Sequence, residues 1–394
     1  MDVLTRERAK PALPFGGVHR LIDFTLSSLA HSELADVWVS VQYQVASIDD
    51  YLSGGRPWSL DRNRGGFRRM VPQTGTGPAT EEGFAHGNAD LLLRMRADLE
   101  QFGAPHVLVS SADHVFSMDL APMLDEHIAS GRTATVLTSE VTKREAADNV
   151  VVLTGRGGVV TGVEVKPSRP SSGTVATEIF VYRTDRLIDA LDALRAELSG
   201  GAAGAAEGDS GLGDFGDHLL PRLIEHGDVR AVPLEGYWRD LGQPGPYLQA
   251  HRDLLAGRVD VFDHPDRPVI SHWPDRPAAR VRRGAVVADS LLSPGCDVAG
   301  EVVRSVLGPG VVVEAGARVE DCVLFEDVRI ERGAEVRTAV LDERTVVGRD
   351  AVVGAAPSGR VARDEDVVLA GLGCEIGRGA HVGAGARLEP GTTA

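Results

Sequence analysis

The chain has 394 residues, and its 57 acidic side chains outnumber 41 basic ones, giving a formal net charge of −16. This length predicts two or three domains, and the acidic excess argues against a nucleic-acid-binding surface, which needs a basic patch. No apolar run reaches the roughly 18 residues that a membrane span requires, and the N-terminus lacks the apolar run of a signal peptide. We therefore expect a cytoplasmic protein with neither nucleic-acid nor membrane partners.

Residues 1 to about 255 alternate between strand-like and helix-like segments. Apolar patterns predict strands at 37–43, 106–113 and 133–141, and helices at 88–103 and 120–131. This alternation predicts an α/β fold with a Rossmann-like, mixed and mainly parallel sheet. Ligands bind such sheets at the carboxyl ends of the strands, so we expect Asp113 at the active edge.

The second half of the chain changes to a period of six residues. Apolar residues repeat at Val286, Leu292 and Val298; at Val313, Val319 and Phe325, followed by the pair Ile330 and Val336; at Val340, Val346 and Val352; and at Ile376, Val382 and Leu388. Hexapeptide periodicity predicts a left-handed β-helix, from which residues 355–372 are expected to loop out. The expected domains are a catalytic domain (1–255), a connection (256–279) and the β-helix (280–394).

The Gly/Ala-rich stretch, the cysteines and the lysines each support a further prediction. The Gly/Ala-rich stretch 197–213 has no apolar period and is expected to be a flexible surface loop. Cys296, Cys322 and Cys374 are odd in number and far apart, which favours buried structural thiols over disulfides or a zinc site. Arginine supplies 38 of the 41 basic residues, and the three lysines are Lys10, Lys143 and Lys166. Under such a bias, a remaining lysine marks a position where a compact ammonium does what a planar guanidinium cannot.

Four polar clusters could carry chemistry: residues 6–10 before Gly16-Gly17, residues 111–114, residues 164–167 and residues 237–242. The first suits anion binding. Asp113 and Asp240, in the second and fourth, could share Mg²⁺ with substrate phosphates. Taken singly, each cluster is at least as readily a solvated turn, a cap or a surface group, and Lys143 has no expected role beyond a solvated helix start.

Taken in order, the clusters resemble the ADP-glucose pyrophosphorylase (glucose-1-phosphate adenylyltransferase) family. Residues 4–24 match the run L-T-x-x-R-A-K-P-A-x-x-F-G-G-x-x-R-x-I-D-F. The motifs A-D-H-V (112–115), D-F-G-x-x-L-x-P (214–221) and Y-W-R-D-x-G (237–242) follow with family-like spacing. A β-helix tail is also a family trait, so the resemblance covers essentially the whole chain.

The resemblance implies an enzyme that converts ATP and α-D-glucose 1-phosphate to ADP-glucose and pyrophosphate, in glycogen or α-glucan biosynthesis. Asp113 and Asp240 would hold Mg²⁺, which offsets charge on the nucleotide phosphates. Arg8 and Lys10 would neutralise the triphosphate and the leaving pyrophosphate, and Lys166 would bind the sugar phosphate. The substrate phosphate is already a nucleophile, so catalysis needs positioning and charge stabilisation more than a strong base.

Several positions around the sugar depart from the family pattern. Its E-K-P reads Val165-Lys166-Pro167, its S-x-G reads Ala176-Thr177-Glu178, its F-G reads Asn149-Val150, and its R-G-T/S-A-D reads His86-Gly87-Asn88-Ala89-Asp90. We expect Gly87, Asp90 and Glu178 to bind substrate with Lys166. Small changes in hydrogen bonding alter sugar selection greatly, so phosphate and metal chemistry is better supported than glucose specificity, and the chain looks like a diverged paralogue.

The family also opens with a strand and a Gly-rich loop, L-A-G-G-x-G-x-R-L, whose backbone N–H groups cradle nucleotide phosphates. Met1 stands where the apolar residue after that loop would be. A start assigned too late, at an internal methionine, is the favoured explanation, and a genuine loss of the loop is the alternative. We expect residues 1–394 to be poorly active or inactive, and the neighbours of that strand to expose unpaired edges.

Two other functions stay open at this point. The same fold could use another sugar 1-phosphate or another nucleotide, or the chain could be a non-catalytic regulatory or assembly subunit. The resemblance implies a homo-oligomer, a tetramer in the family. Arg280, Arg282 and Arg283 could bind an anionic metabolite, but a solvated charge run is the favoured interpretation.

Overall fold

The computed structural model describes residues 1–63, 65–71, 85–199 and 210–394. Most of the stretch predicted to be a flexible surface loop, residues 200–209, lies outside these ranges. Within them, no helix combines the length and the apolar character that crossing a membrane requires.

The helices lie in the first two thirds of the chain. They are α1 (Leu21–His31), α2 (Ala46–Leu52), α3 (Asn88–Arg94), α4 (Arg96–Phe102), α5 (Ala121–Ser130), α6 (Lys143–Ala146), α7 (Thr184–Ser199), α8 (Leu220–His226) and α9 (Pro244–Leu255). The helix predicted at 88–103 is present but broken into α3 and α4 at Met95. It ends at Gly103, whose φ of 72° is a left-handed conformation that glycine adopts without strain.

Twelve labelled strands belong to this first part in the described ranges. They are β1 (Pro14–Phe15), β2 (His19–Arg20), β3 (Asp36–Ser40), β4 (Gly66–Met70), β5 (His106–Ser110), β6 (His114–Val115), β7 (Ala134–Glu140), β8 (Val150–Thr154), β9 (Val160–Val165), β10 (Thr174–Arg183), β11 (Val229–Pro233) and β12 (Arg239–Asp240). The three strands predicted from apolar runs correspond to β3, β5 and β7.

The central sheet is mixed, which confirms the predicted α/β architecture. Its order is β11-β7-β10-β8-β9, with β5 also paired to β10. The pairs β7–β11 and β3–β4 are parallel, whereas β10 runs antiparallel to β5, β7 and β8. Among the described strands, β3 pairs only with β4 and β5 only with β10, so one edge of each has no partner strand.

The C-terminal part is a parallel β-helix, as the hexapeptide period predicts. Its strands are β13 (Arg280–Val281), β14 (Val286–Ala288), β15 (Leu291–Leu292), β16 (Asp297–Val298), β17 (Glu301–Val303), β18 (Val306–Leu307), β19 (Val312–Val313), β20 (Arg318–Leu324), β21 (Arg329–Ile330), β22 (Glu335–Leu341), β23 (Val346–Val347), β24 (Val352–Val353), β25 (Val368–Ala370), β26 (Glu375–Ile376), β27 (His381–Val382) and β28 (Arg387–Leu388). The interruption predicted at 355–372 is shorter than expected, since β25 resumes the coil at Val368.

The interior of the coil is filled by small and branched apolar side chains. Val298, Val313 and Ile330 are fully buried there. All three cysteines are free and buried, as predicted, and burial raises the pKa of Cys296 to about 11. Two members of the six-residue series, Phe325 and Val340, face outward and are buried against the first part of the chain instead.

A shared apolar core joins the β-helix to the catalytic part. Val306, Val323 and Val340 from one face of the coil pack with Tyr247 and Leu248 of α9. The N-terminal residues Val3, Leu4 and Leu13 belong to the same core. The segment that carries the first sequence motif is therefore fixed between the sheet and the coil.

Candidate active site

The candidate site lies just beyond the carboxyl end of β5. The short strands β6 and β12 pair antiparallel there, with His114 opposite Asp240. Asp113 precedes β6 directly, so this pairing brings the second and fourth sequence clusters together. The first cluster joins them because the Lys10 ammonium binds Asp113 Oδ2.

The pair of Lys10 and Asp113 is held in its charged form. Burial opposes a charge on Lys10, but Asp113 and Asp240 outweigh it and raise the pKa of the ammonium. Burial alone would raise the pKa of Asp113, yet His114 and Lys10 hold it well below its ordinary value. Ser111 Oγ donates a hydrogen bond to Asp113 Oδ1, so both carboxylate oxygens have partners.

Asp240 is positioned by the backbone of the turn that follows it and by the residue before it. Gly242 N donates to Asp240 Oδ1 at 2.7 Å. Arg239 Nη1 donates to Glu145 Oε1 at 2.8 Å, and Arg239 Nη2 lies 3.2 Å from Asp253 Oδ2. This half-buried arginine thus links β12 to α6 and α9. Sequence analysis gave Arg239 no role, because its partners are distant in the chain. The only signal was its place in the Y-W-R-D motif.

His114 and Glu178 complete the cluster. His114 Nε2 lies 3.4 Å from Asp113 Oδ1 and 3.7 Å from Asp240 Oδ1. Burial opposes protonation of this imidazole, but the carboxylates, Asp113 foremost, raise its pKa. Burial raises the pKa of Glu178, although His114 opposes it. One ligand atom each from Asp113, His114 and Glu178 lies within 4.8 Å of the others.

The position of Glu178 depends on an irregularity in β10. The register of β10 against β7 shifts between Ala176 and Phe180, and Glu178 has a φ of 57°. A left-handed conformation costs a non-glycine residue roughly 1–2 kcal/mol. The Glu178 carbonyl accepts a hydrogen bond from Ser111 N at 3.1 Å, which ties this bulge to the segment leading into Asp113.

Gly87 and Asp90, which are predicted to bind substrate, have different neighbours from the residues around Asp113. Gly87 has a φ of 105°, and a Cβ there would lie 2.3 Å from the backbone of Gly213, so only glycine fits. Asp90 is 1% exposed. Its Oδ2 accepts from His86 N at 2.8 Å and Arg94 Nε at 3.0 Å. Asp90 therefore braces the loop that carries Gly87, and substrate contact by either residue stays a prediction.

Lys166 is exposed and has a φ of 41°. Its backbone N–H donates to Asn149 O at 3.0 Å. Among the described residues, no hydrogen bond or ion pair joins its side chain to Lys10 or Asp113. Its assignment to the sugar phosphate stays a prediction.

Arg8 lies apart from the Lys10 cluster and contacts the β-helix. Its Nη1 is 2.8 Å from Asp342 Oδ1, and its Nη2 is 2.9 Å from Glu343 Oε1. Its guanidinium also lies 5.5 Å from the centroid of the Phe325 ring. Burial raises the pKa of Asp342 to about 6, although Arg8 opposes this shift. The structure thus gives Arg8 a bridging contact, and a role on the triphosphate stays a prediction.

Comparisons with known proteins agree with this arrangement. The Nucleotidyl transferase family profile matches residues 2–257, and the profile described as GlmU-like, C-terminal hexapeptide matches residues 277–367. A glucose-1-phosphate adenylyltransferase of Bacillus licheniformis is 34% identical over 316 residues, covering 79% of each chain. Enzymes of the same name from Bacillus cytotoxicus and Bacillus anthracis are each 33% identical, over 82% of this chain and 83% of theirs. The chain therefore belongs to the nucleotidyl transferase family, alongside the glucose-1-phosphate adenylyltransferases.

Proposed function

We propose that this protein is a glucose-1-phosphate adenylyltransferase, which converts ATP and α-D-glucose 1-phosphate to ADP-glucose and pyrophosphate. The observation that carries the proposal is the convergence of Lys10, Asp113 and Asp240 at one edge of the sheet. One ammonium beside two carboxylates suits a reaction between phosphate groups, where charge must be neutralised at several oxygens.

The chemistry needs little from a general base. A phosphate oxygen of the sugar phosphate attacks the α-phosphorus of ATP, and the bond from that phosphorus to the bridging oxygen of pyrophosphate breaks. Lys10 moves from Asp113 to the phosphates and neutralises charge on the leaving pyrophosphate. The surrounding residues fix the reactants in line, which is the main source of acceleration in such a reaction.

A divalent cation fits the residues present. Carboxylate oxygens are the donors that Mg²⁺ prefers, and Asp113 and Asp240, which the pairing of β6 with β12 brings together, would hold it. When bound, the ion supplies charge neutralisation to the nucleotide phosphates. Arg239, through Glu145 and Asp253, keeps the Asp240 carboxylate where such an ion is needed.

The wider assignments follow from the family. The product class supports a role in glycogen or α-glucan biosynthesis, and we propose a cytoplasmic location. Tetramer formation is proposed on the same ground. The acidic net charge of −16 supports the absence of a nucleic-acid partner.

A second candidate, transfer to a different sugar 1-phosphate, is favoured by one observation. Glu178 brings a carboxylate into the cluster at a position where the family pattern has glycine. A charge at that point would change which hydroxyl groups the pocket accepts.

Product formation from a panel of substrates tests the proposal. ATP, GTP, UTP and dTTP are each combined with glucose 1-phosphate and with other sugar 1-phosphates, and pyrophosphate and nucleotide sugar are measured. Protein is used in excess over nucleotide, so that a single round of product formation can be measured. We expect ADP-glucose from ATP and glucose 1-phosphate. Product from another sugar or base alone would establish the second candidate instead.

A further inference from the structure

The cluster around Asp113 holds two more donor side chains than the metal site predicted from the sequence. We infer that His114 and Glu178 are ligands of the active-site cation together with Asp113, and that this centre favours a first-row transition ion such as Mn²⁺ over Mg²⁺. The inference rests on the proposed function only in using the same site. It concerns which side chains hold the ion and which ion they select.

The first support is the orientation of the His114 ring. Its Nδ1 is 3.0 Å from the carbonyl oxygen of Thr177, and a carbonyl can only accept, so Nδ1 carries the hydrogen. Nε2 then turns toward Asp113 and Asp240 at 3.4 and 3.7 Å. Both distances exceed the roughly 2.7–3.2 Å of an N–H···O hydrogen bond, and the side chain is only 3% exposed. The hydrogen bond to Thr177 therefore fixes the ring with Nε2 beside two carboxylates, where it could bind a cation that Asp113 also holds.

The second support is the backbone at Glu178. Its φ of 57° lies in the left-handed region, which glycine adopts without the clash that a side chain causes. Strain of this kind persists where the surrounding structure imposes it, and it concentrates at functional sites. Here the strained residue belongs to the group whose donor atoms lie within 4.8 Å of one another.

The third support is the balance of charge. Asp113, Glu178 and Asp240 face a single ammonium, that of Lys10. Lys10 binds Oδ2 of Asp113 and leaves Oδ1 on the side of His114. Three carboxylates beside one ammonium form a surplus of acidic groups, whose charge a divalent cation would offset.

The donor types decide which ion is favoured. Mg²⁺ takes oxygen ligands in near-octahedral geometry and keeps several waters. An imidazole nitrogen among carboxylates shifts the preference toward first-row transition ions. The choice of ion therefore depends on His114, and the affinity for either ion depends on Glu178.

Calorimetric titration of the full chain with Mn²⁺ and with Mg²⁺, without nucleotide, tests the role of Glu178. We expect Mn²⁺ to bind more tightly than Mg²⁺. Glu178→Gln should weaken Mn²⁺ binding by at least about tenfold. Replacing a residue that only hydrogen-bonds to a metal ligand already lowers metal affinity by about that factor, and Glu178 is inferred to be a ligand itself. Glu178→Gly should do the same while relieving the backbone strain, which keeps the result interpretable if the glutamine variant folds poorly. The matched controls are Glu33→Gln and Glu33→Gly, since Glu33 is exposed and has a φ of 58°.

Electron spin echo spectroscopy of bound Mn²⁺ tests the role of His114. We expect coupling to an imidazole nitrogen in the wild type and its loss in His114→Asn, whose amide can still donate to Thr177 O. The preference for Mn²⁺ over Mg²⁺ should fall by about tenfold in that variant. Mn²⁺ binding without nitrogen coupling, or binding unchanged in the Glu178 variants, would overturn the inference and leave the proposed function intact. Failure of adenylyl transfer with these metal results unchanged would instead count only against the proposed function.

Discussion

Replacing Lys10 with arginine is expected to impair the protein although the charge is kept. The Lys10 ammonium binds Asp113 Oδ2 on one side. On the other side, a Cβ placed on Gly242 would lie only 3.0 Å from the same nitrogen. A planar guanidinium is wider than an ammonium and presents its hydrogens in a fixed fork, so it cannot occupy this space without displacing Asp113 or the 240–242 turn.

The expected loss follows from the contact removed. A hydrogen bond to a charged group contributes about 1.5–3 kcal/mol, and each 1.36 kcal/mol corresponds to about tenfold in rate or affinity. Lys10→Arg should therefore lower kcat/KM, or the affinity for inorganic pyrophosphate, by about 10- to 150-fold. Initial rates of pyrophosphate release and calorimetric titration with pyrophosphate measure the two quantities.

The other two lysines provide the comparison. Lys143→Arg, at the exposed start of α6, should leave both quantities unchanged. Lys166→Arg should weaken binding of the sugar phosphate. Lys10→Arg activity within twofold of the wild type, with pyrophosphate bound equally well, would refute the assignment of a specific ammonium role.

Three further predictions concern the structure around the site. Gly242→Ala adds a methyl group 3.0 Å from Lys10 Nζ and 3.1 Å from Asp240 Oδ1, so turnover should fall about tenfold or more with unfolding by urea little changed; full activity would contradict the close packing. Phe325→Ala empties part of the core between coil and sheet and should lower the free energy of unfolding by about 3–5 kcal/mol, whereas a change below about 1 kcal/mol would show that this core contributes little. Burial lowers the pKa of His251 from 6.5 to about 4, so the unfolded state binds the additional proton. Stability present above pH 6.5 is then lost as the pH falls toward 4, by about 2 kcal/mol at pH 5. Urea unfolding at pH 7 and pH 5 should show this loss, and an equal loss in His251→Gln would assign it elsewhere.

The sequence was sufficient to predict the parts of the site that depend on local pattern. Strand ends place polar residues at one edge of the sheet, so Asp113 could be assigned to the active edge from its strand alone. The association of Lys10, Asp113 and Asp240 followed from motif order, and the structure brings these three together. The six-residue period predicted the coil because each turn repeats the same three short strands.

Other parts depend on contacts between distant segments and could not be predicted. Arg239 meets Glu145 and Asp253 only because the fold brings one residue of α6 and one of α9 to β12. Arg8 belongs to the same motif as Lys10, but the surface of the coil places Asp342 within reach of its guanidinium. A residue-by-residue motif does not show which of two neighbouring basic side chains faces which partner.

Backbone irregularities were also beyond sequence reasoning. The helix predicted at 88–103 has the right apolar spacing but breaks at Met95. The register shift in β10 places Glu178 beside Asp113. Neither a period of two nor a period of 3.6 predicts such a shift, because a bulge inserts residues without changing the apolar pattern.

The central claim is that Asp113 and its neighbours transfer an adenylyl group to glucose 1-phosphate. Single-turnover formation of ADP-glucose from ATP, with protein in excess and Mg²⁺ or Mn²⁺ present, tests it most directly when the wild type is compared with Asp113→Asn. We expect ADP-glucose from the wild type and loss of most of the rate in the variant, with only a modest change in ATP affinity. A rate of ADP-glucose formation in Asp113→Asn equal to that of the wild type would contradict it.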